Sequence, residues 1–242
     1  MPAFLLGVLG GMGPLATVDF LAKLIDATPA AGDADHVPVV AASIPQIPSR
    51  VAAILAGGES PLPALLGARD RLLAAGATLL AMPCNTAHRW HDDLAQGIDV
   101  PFLHIADAAV DEVGPRVPAG ATVGVIATEA THAIGLYAGR LERAGYRIAV
   151  PVDDVDLRAV ADGIAAVKRG DAAAGGRRFA RVVAALERRG VAAIVLGCTE
   201  IPPGLSAAGV RPGVPWVDPA EALARASAAA WARARSAGDR AR

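Results

Sequence analysis

The chain contains two cysteines, Cys84 and Cys198, and sets each in nearly the same context: "LLAMPCNTAH" over 79–88 and "AIVLGCTEIP" over 193–202. Each thiol follows an apolar run and precedes hydroxyl, amide, carboxyl or imidazole groups. Read singly, a free cysteine is more often a small buried hydrophobe than a reagent. Two in matching contexts point the other way. A thiol placed where a strand ends and a helix opens is expected to have a lowered pKa, and thiolate is the form that acts as base or nucleophile. The pair lacks the C-x-x-C spacing of a redox dithiol. A metal site fits less well still, because Cys84, His88 and His91 would offer ligands from one lobe only.

Other polar groups gather at comparable places. In "GVLGGMGPLAT" (7–17) the plain reading is a tight strand-to-helix turn, for which glycine is needed anyway. The functional reading is a loop whose backbone, around Met12 and Gly13, approaches a small anion at a helix N-terminus. Its glycines fall at 7, 10, 11 and 13, which matches neither the dinucleotide fingerprint nor a P-loop. Asn85, Thr86, Thr128, Thr131 and Thr199 flank strand ends. Each alone reads as a helix cap, whereas together they suit a carboxylate and an ammonium group in a small polar pocket. Arg50 and Lys168 stand at corresponding places in the two halves, either as solvated helix residues or as cations for a substrate carboxylate. Glu200 is placed to orient or deprotonate a neighbouring thiol, and His88 reads equally as a helix-surface residue.

The elements that must position these groups are short strands alternating with longer helical patterns. Strands are expected at 4–9, 37–43, 78–82 and 100–105, then at 121–127, 146–151, 192–197 and 214–218. Pro14 suits the first position of a helix, and glycines close several others. The two sets are repeats of one another: "GATLLAMPC" (76–84) answers "GVAAIVLGC" (190–198), and "PFLHIADAA" (101–109) answers "PWVDPAEAL" (215–223) at the same offset. A repeat this long is a duplicated domain. The expected fold is α/β, with two similar three-layer lobes, each holding a mainly parallel four-stranded sheet. A pseudo-twofold axis would relate them, with the active site between them at the carboxyl ends of the strands. The first lobe is expected to cover 1–112 plus 219–242, its C-terminal helix packing back, and the second 113–218.

Composition narrows the partners. Hydrophobic residues make up 53% and aromatics 4%, so the core must be built from aliphatic side chains and alanine. A net charge of -1 gives no electrostatic case for nucleic acid or an anionic membrane. No apolar run approaches the roughly 18–20 residues that cross a bilayer. The start "MPAFLLGVLGG" lacks a basic segment and reads as a first strand, so a reducing cytoplasm and free thiols are expected.

With these residues set out, the chain resembles the aspartate/glutamate racemase family, and within it the aspartate racemase branch. The resemblance rests on "GGMGPLAT" (10–17), "CNTAH" (84–88), "VIATEAT" (125–131) and "LGCTEIP" (196–202), in order along nearly the whole chain. It implies amino-acid racemisation without pyridoxal phosphate, other cofactor or metal, by an isomerase acting on a dicarboxylic amino acid. Cys84 and Cys198 would be the acid/base thiols. Met12, Gly13, Asn85, Thr86, Thr128 and Thr199 would contact the substrate, Arg50 and Lys168 would hold carboxylates, and Glu200 would tune a thiol. A homodimer is also implied. One departure stands out: the family's "IPDR" segment reads "IPSR" at 47–50, so Ser49 replaces an aspartate beside Arg50.

Alternatives keep the fold and change the reaction. Hydantoin racemases and maleate isomerases belong to the wider superfamily, as do arylmalonate decarboxylases, which need only one thiol acid. A non-catalytic two-lobed binding protein, with Ser49 as its mark, and a redox sensor that oxidises both thiols are the readings outside isomerase chemistry.

Overall fold

The computed structural model describes residues 4–239. In chain order the elements are β1 (Leu6–Gly10), α1 (Pro14–Asp26), β2 (Val39–Ser43), α2 (Arg50–Leu55), α3 (Leu62–Ala74), β3 (Leu79–Ala81), α4 (His91–Ala95) and α5 (Ile105–Asp111). Next come β4 (Thr122–Ala127), α6 (Glu129–Ala133), α7 (Ala138–Arg143), β5 (Arg147–Ala149), α8 (Asp154–Lys168) and α9 (Ala172–Arg188). The last are β6 (Ala193–Gly197), α10 (Ile201–Ala207), β7 (Trp216–Val217) and α11 (Pro219–Asp239). Short 3-10 turns occupy Asp33–Asp35 and Thr86–Trp90. The chain divides into two compact units. One holds the N-terminal segment through Ala53, Gly57–Ile105 and the segment from Ala220 onward; the other holds Ile54–Ala56 and Ala106–Pro219.

In the first unit the sheet order is β2-β1-β3, all parallel. Side chains alternate across it, as the two-residue period of a strand requires. Leu6 and Val8 of β1, with Leu79 and Ala81 of β3, join Phe20 and Leu24 of α1 and Leu223, Ala224 and Ala228 of α11 on one face. Leu9, Leu80 and Met82 turn to the other face and meet Leu65 and Leu72 of α3, Leu94 of α4, Met12 and Cys84. Gly7 is required by close packing: a Cβ there would stand 2.7 Å from Leu80 Cδ2 and 2.8 Å from Ala77 Cβ. Trp231 of α11 donates from Nε1 to the Asp35 carbonyl at 3.0 Å, which ties this helix to the same unit.

The fourth strand expected at 100–105 is not formed. That segment makes a single parallel bridge, Leu80↔Phe102, so the first sheet has three strands and only the second has four, in the order β5-β4-β6-β7. The adjoining strand also differs between the two units. Pro83 stands at the repeat position of Gly197. Proline has no N–H to give a ladder and restricts the residue before it, so β3 stops at Ala81. Gly197 lets β6 run on to pair with Ala127 of β4. β7 makes two register pairs with β6, Ile194↔Trp216 and Val195↔Val217, at the positions that correspond to Leu80 and Ala81.

In the second unit β6 is fully buried. Ile194 and Leu196 pack with Val160, Ile164 and Val167 of α8, Phe179, Val182 and Leu186 of α9, and Ile201 and Leu205 of α10. These three helices approach closely because glycine stands at each crossing. A Cβ on Gly176 would lie 1.9 Å from the Gly204 carbonyl oxygen, and one on Gly163 would lie 2.4 Å from the Phe179 ring. Helix α8 is capped by Asp153, whose side chain accepts from the Asp156 amide, and α9 by Asp171 in the same way. On the far side of this sheet, Val125, Thr131, His132, Leu136, Ile148 and Val150 line a small cavity.

This packing has two testable consequences. Gly176→Ala forces α9 and α10 apart, an overpacking cost of about 1–3 kcal/mol. In a chain of this size that lowers Tm by about 2–12 °C, and calorimetry reading no change would contradict the contact. The second concerns His132, whose Nε2 is buried without a partner and whose pKa is lowered by burial. The unfolded imidazole takes up a proton below its ordinary value of 6.5, while the folded one resists. Stability is therefore level above that pH and falls as pH drops through it toward the folded value. Tm measured across this range in wild type and His132→Phe checks it: the acid slope should be shallower in the variant.

Candidate active site

Both cysteines sit in the same strand-end turn. The Cys84 amide donates to the Met82 carbonyl at 2.8 Å, and the Cys198 amide donates to the Leu196 carbonyl at 2.8 Å. Both are free thiols, 7% and 8% exposed. The two turns lead into different structure. After Cys198 the chain enters α10 with Glu200 as N-cap and proline at the start, and the Ile201 amide donates to the Cys198 carbonyl at 3.0 Å. After Cys84 it enters a 3-10 turn with Asn85 as N-cap, and only then the short α4.

Around Cys198 the structure gathers three of the expected residues. Its Sγ–H donates to Glu200 Oε2 at 3.0 Å, and Thr199 Oγ1–H donates to the same oxygen at 3.2 Å. Lys168 Nζ, at the last residue of α8, stands 3.6 Å from Glu200 Oε1. The expectation of a lowered thiol pKa is reversed here. Burial pushes the Cys198 thiol well up, and the Glu200 carboxylate beside it pushes the same way, against a smaller opposing effect of Lys168. A helix end contributes about 0.3–1 kcal/mol, while desolvation and a like charge shift a pKa by several units. Both effects favour the protonated form of Cys198.

Around Cys84 the arrangement is held by imidazole. His88 is buried, not on a helix surface. The Ile105 amide donates to its Nε2 at 3.0 Å, so that nitrogen carries no proton, and Nδ1–H donates to the Cys84 carbonyl at 2.8 Å. The ring thus locks the turn that presents Cys84, in its neutral tautomer. His88, His91 and His104 pack ring on ring, while His91 Nε2 lies 3.2 Å from the Phe102 carbonyl. Among the described residues no three His, Cys, Asp or Glu side chains are arranged to hold a metal ion. Asn85 and Thr86 are buried next to Cys84.

The glycine-rich loop spends part of its backbone internally. The Gly11 amide donates to Thr17 Oγ1 at 2.8 Å, and Gly10 must lack a Cβ because it would fall 2.5 Å from that hydroxyl oxygen. The Met12 side chain lies in the core, and Gly13 is the N-cap position of α1, followed by Pro14. Arg50 is clasped by three carbonyls: Nη1 donates to Ile47 at 3.1 Å and to Pro48 at 3.0 Å, and Nη2 to Met12 at 3.4 Å. Neutral carbonyls fix the guanidinium without offsetting its charge. Ser49 caps α2, accepting from the Ala52 amide at 3.2 Å. Serine and aspartate perform this task about equally, so the departure at 49 leaves the helix start intact. Thr128 caps α6, accepting from the Thr131 amide at 3.1 Å, with the two hydroxyls 2.8 Å apart.

Two further residues near Cys198 are not singled out by motif or spacing. Tyr137 is buried; a Cβ on Gly197 would come within 2.9 Å of its ring. Burial raises the Tyr137 pKa well up, assisted by Asp218 and by Cys198. Asp218, also buried, ends the turn after β7 at the repeat position of His104. The repeat of 101–109 in 215–223 sets Asp218 opposite His104 without marking it as functional, and nothing in the local sequence marks Tyr137.

The residues expected to do chemistry thus fall into two sets, one in each unit. A family model described as Asp/Glu/Hydantoin racemase matches residues 9–227. A structure of Picrophilus torridus aspartate racemase is similar over 95% of each chain, at 30% identity and a TM-score of 0.83. An aspartate racemase homologue from Pyrococcus horikoshii OT3 shares the fold, at 24% identity and a TM-score of 0.71 over 95% of this chain and 100% of that one. The broad specificity amino-acid racemase RacX of Bacillus subtilis (strain 168) is 30% identical over 150 residues, which is 60% of this chain and 63% of that protein. No helix among the described residues is long and apolar enough to cross a membrane.

The His88 lock yields a prediction. His88→Ala strands the Cys84 carbonyl and the Ile105 amide, each at a cost of about 1–3 kcal/mol. A thermal melt should show a fall of several degrees or more, and an unchanged Tm would mean that the turn is held by something else.

Proposed function

The chain belongs to the Asp/Glu/Hydantoin racemase family, a family of isomerases, and from that premise we propose that it racemises a dicarboxylic amino acid, aspartate first and glutamate next, without a cofactor. The observation that carries this reading is the duplicated strand-end turn, which presents one buried free thiol in each unit in the same backbone geometry.

Racemisation removes the Cα proton from one face and returns a proton to the other. Two bases on opposite faces accomplish this without moving, whereas one base would have to travel around the carbon. In this reading Cys84 and Cys198 are those groups, one as thiolate and one as thiol, with roles exchanged for the opposite enantiomer. General acid/base groups of this kind contribute about 10²–10⁴ in rate each. The Cα–H bond is a feeble acid, so the carbanionic transition state needs fixed charge close by. Arg50, whose carbonyl clasp leaves its charge uncompensated, supports a role in holding a substrate carboxylate. Lys168, half-exposed and 3.6 Å from Glu200, serves as the second cation. Met12 and Gly13, through backbone, and Asn85, Thr86, Thr128 and Thr199 complete the proposed contacts to the amino and α-carboxylate groups.

The reading includes a homodimer. Leu15, Val18 and Ile25 of α1 are each more than half exposed and supply apolar surface for it. Sedimentation should give twice the chain mass, and a monomer at micromolar concentration removes this part of the proposal.

The activity is tested with L- and D-aspartate and no added cofactor. Cys84→Ser and Cys198→Ser should each lower net racemisation by at least about 10²-fold, on the scale expected for loss of a general acid or base. Full activity in either variant would refute the assignment of two working thiols.

A further inference from the structure

The two halves of the repeat surround their cysteines with different chemistry. Glu200 lies two residues past Cys198, and the same step past Cys84 reaches Thr86. Asp218 stands where the first half has His104. Both carboxylates therefore belong to the Cys198 side of the duplication. Glu200 is itself buried, 7% exposed, and its side chain is directed at the thiol's surroundings: Cys198 Sγ at 3.0 Å and Thr199 Oγ1 at 3.2 Å on one oxygen, Lys168 at 3.6 Å from the other. A carboxylate accepts but does not donate, so a hydrogen bond between it and Cys198 requires the proton to be on sulfur.

We propose that Glu200, braced by Thr199 and Lys168, holds Cys198 as the protonated thiol in the resting protein, so that Cys198 is the standing acid and Cys84 the ready base for the enantiomer whose Cα–H faces it, the exchanged state being the one the opposite enantiomer needs. This inference rests on the two-thiol reading above and adds to it a fixed starting state. In the first half of a turnover the Cα–H bond breaks and its proton goes to the Cys84 sulfur. The Cys198 S–H proton then forms the new C–H bond on the opposite face. One thiolate gains a proton and one thiol loses one, so the negative charge finishes on Cys198, 3.0 Å from the Glu200 carboxylate. Two anions at that separation in a buried site repel, which drives a proton from solvent back onto Cys198 while Cys84 releases to solvent the proton it took, and this restores the starting pair before the next cycle. Glu200 is thus a positioning residue that resets the pair.

The groups bearing on Cys198 come from several elements. Glu200 stands at the start of α10, Lys168 at the end of α8, and Tyr137 just before α7; Asp218 after β7 and Arg140 of α7 act on Tyr137. Glu200 and Lys168 pull the thiol in opposite directions, which gives the test its sign.

The experiment titrates the Cys198 thiolate by ultraviolet absorbance, as the difference between Cys84→Ser and the variant lacking both cysteines. No substrate is needed, so the result stands whether or not racemisation is found, and absence of activity in wild type would sink only the functional reading. Placing Glu200→Gln in the Cys84→Ser background should lower the midpoint and raise the thiolate fraction near neutral pH about tenfold or more, since one pKa unit is a factor of ten. Lys168→Met in the same background should raise the midpoint. A general loosening of the site would move both variants the same way. An unmoved midpoint in Glu200→Gln, or shifts of the same sign, would overturn the proposal. Should Glu200→Gln fail to fold, the half-exposed Lys168→Met still decides: a midpoint that falls or stays refutes it.

Discussion

The hydrogen bond from Cys198 to Glu200 places two acidic groups 3.0 Å apart in a buried site, where two negative charges would repel. Much of the second unit maintains this constraint. Glu200 is in place because α10 starts there, and α10 is in place because Gly176 and Gly204 let it press against α9. Lys168 is in place because α8, anchored at its other end by the Asp153 cap, ends beside it. Aliphatic packing on one face of the sheet therefore sets the state of a thiol at the end of its central strand.

The first unit solves the same geometric problem with other means. Its cysteine turn has the same backbone hydrogen bond, but a neutral imidazole behind the chain holds it, and no carboxylate occupies the positions that correspond to Glu200 and Asp218. Duplication provides two similar turns, and divergence around them makes the turns chemically unequal. The proton-transfer pair proposed above would need that inequality at rest, since one member must hold a proton while the other does not.

Much of the fold is legible in the sequence because it is carried by local pattern. β-branched and aliphatic runs mark the strands, and the repeated offset between Cys84 and Cys198 marks the duplication. The fourth strand of the first sheet misleads because "VPFLHI" has strand character of its own, yet in the fold it makes a single bridge to β3, and strand character in one segment says nothing of how far its neighbour pairs with it. At the site, the thiols and Glu200 are legible by spacing. The direction of the Cys198 pKa is not, because a helix N-terminus is visible in sequence and desolvation is not. His88 hides its role for a similar reason: its partners are a carbonyl four residues back and the Ile105 amide, which only the folded chain brings together. The Ser49 departure reads as a large change in sequence and turns out to preserve a helix cap.

The central claim is that two thiols act on opposite faces of one carbon, and the position of solvent label tests it most directly. L-Aspartate incubated in D2O with the wild-type protein and sampled at low conversion separates the mechanisms. Two monoprotic bases predict deuterium at Cα of the D-aspartate formed, with the remaining L-aspartate still protiated. Deuterium appearing equally in both enantiomers, or D-aspartate that retains its original proton, would contradict the account.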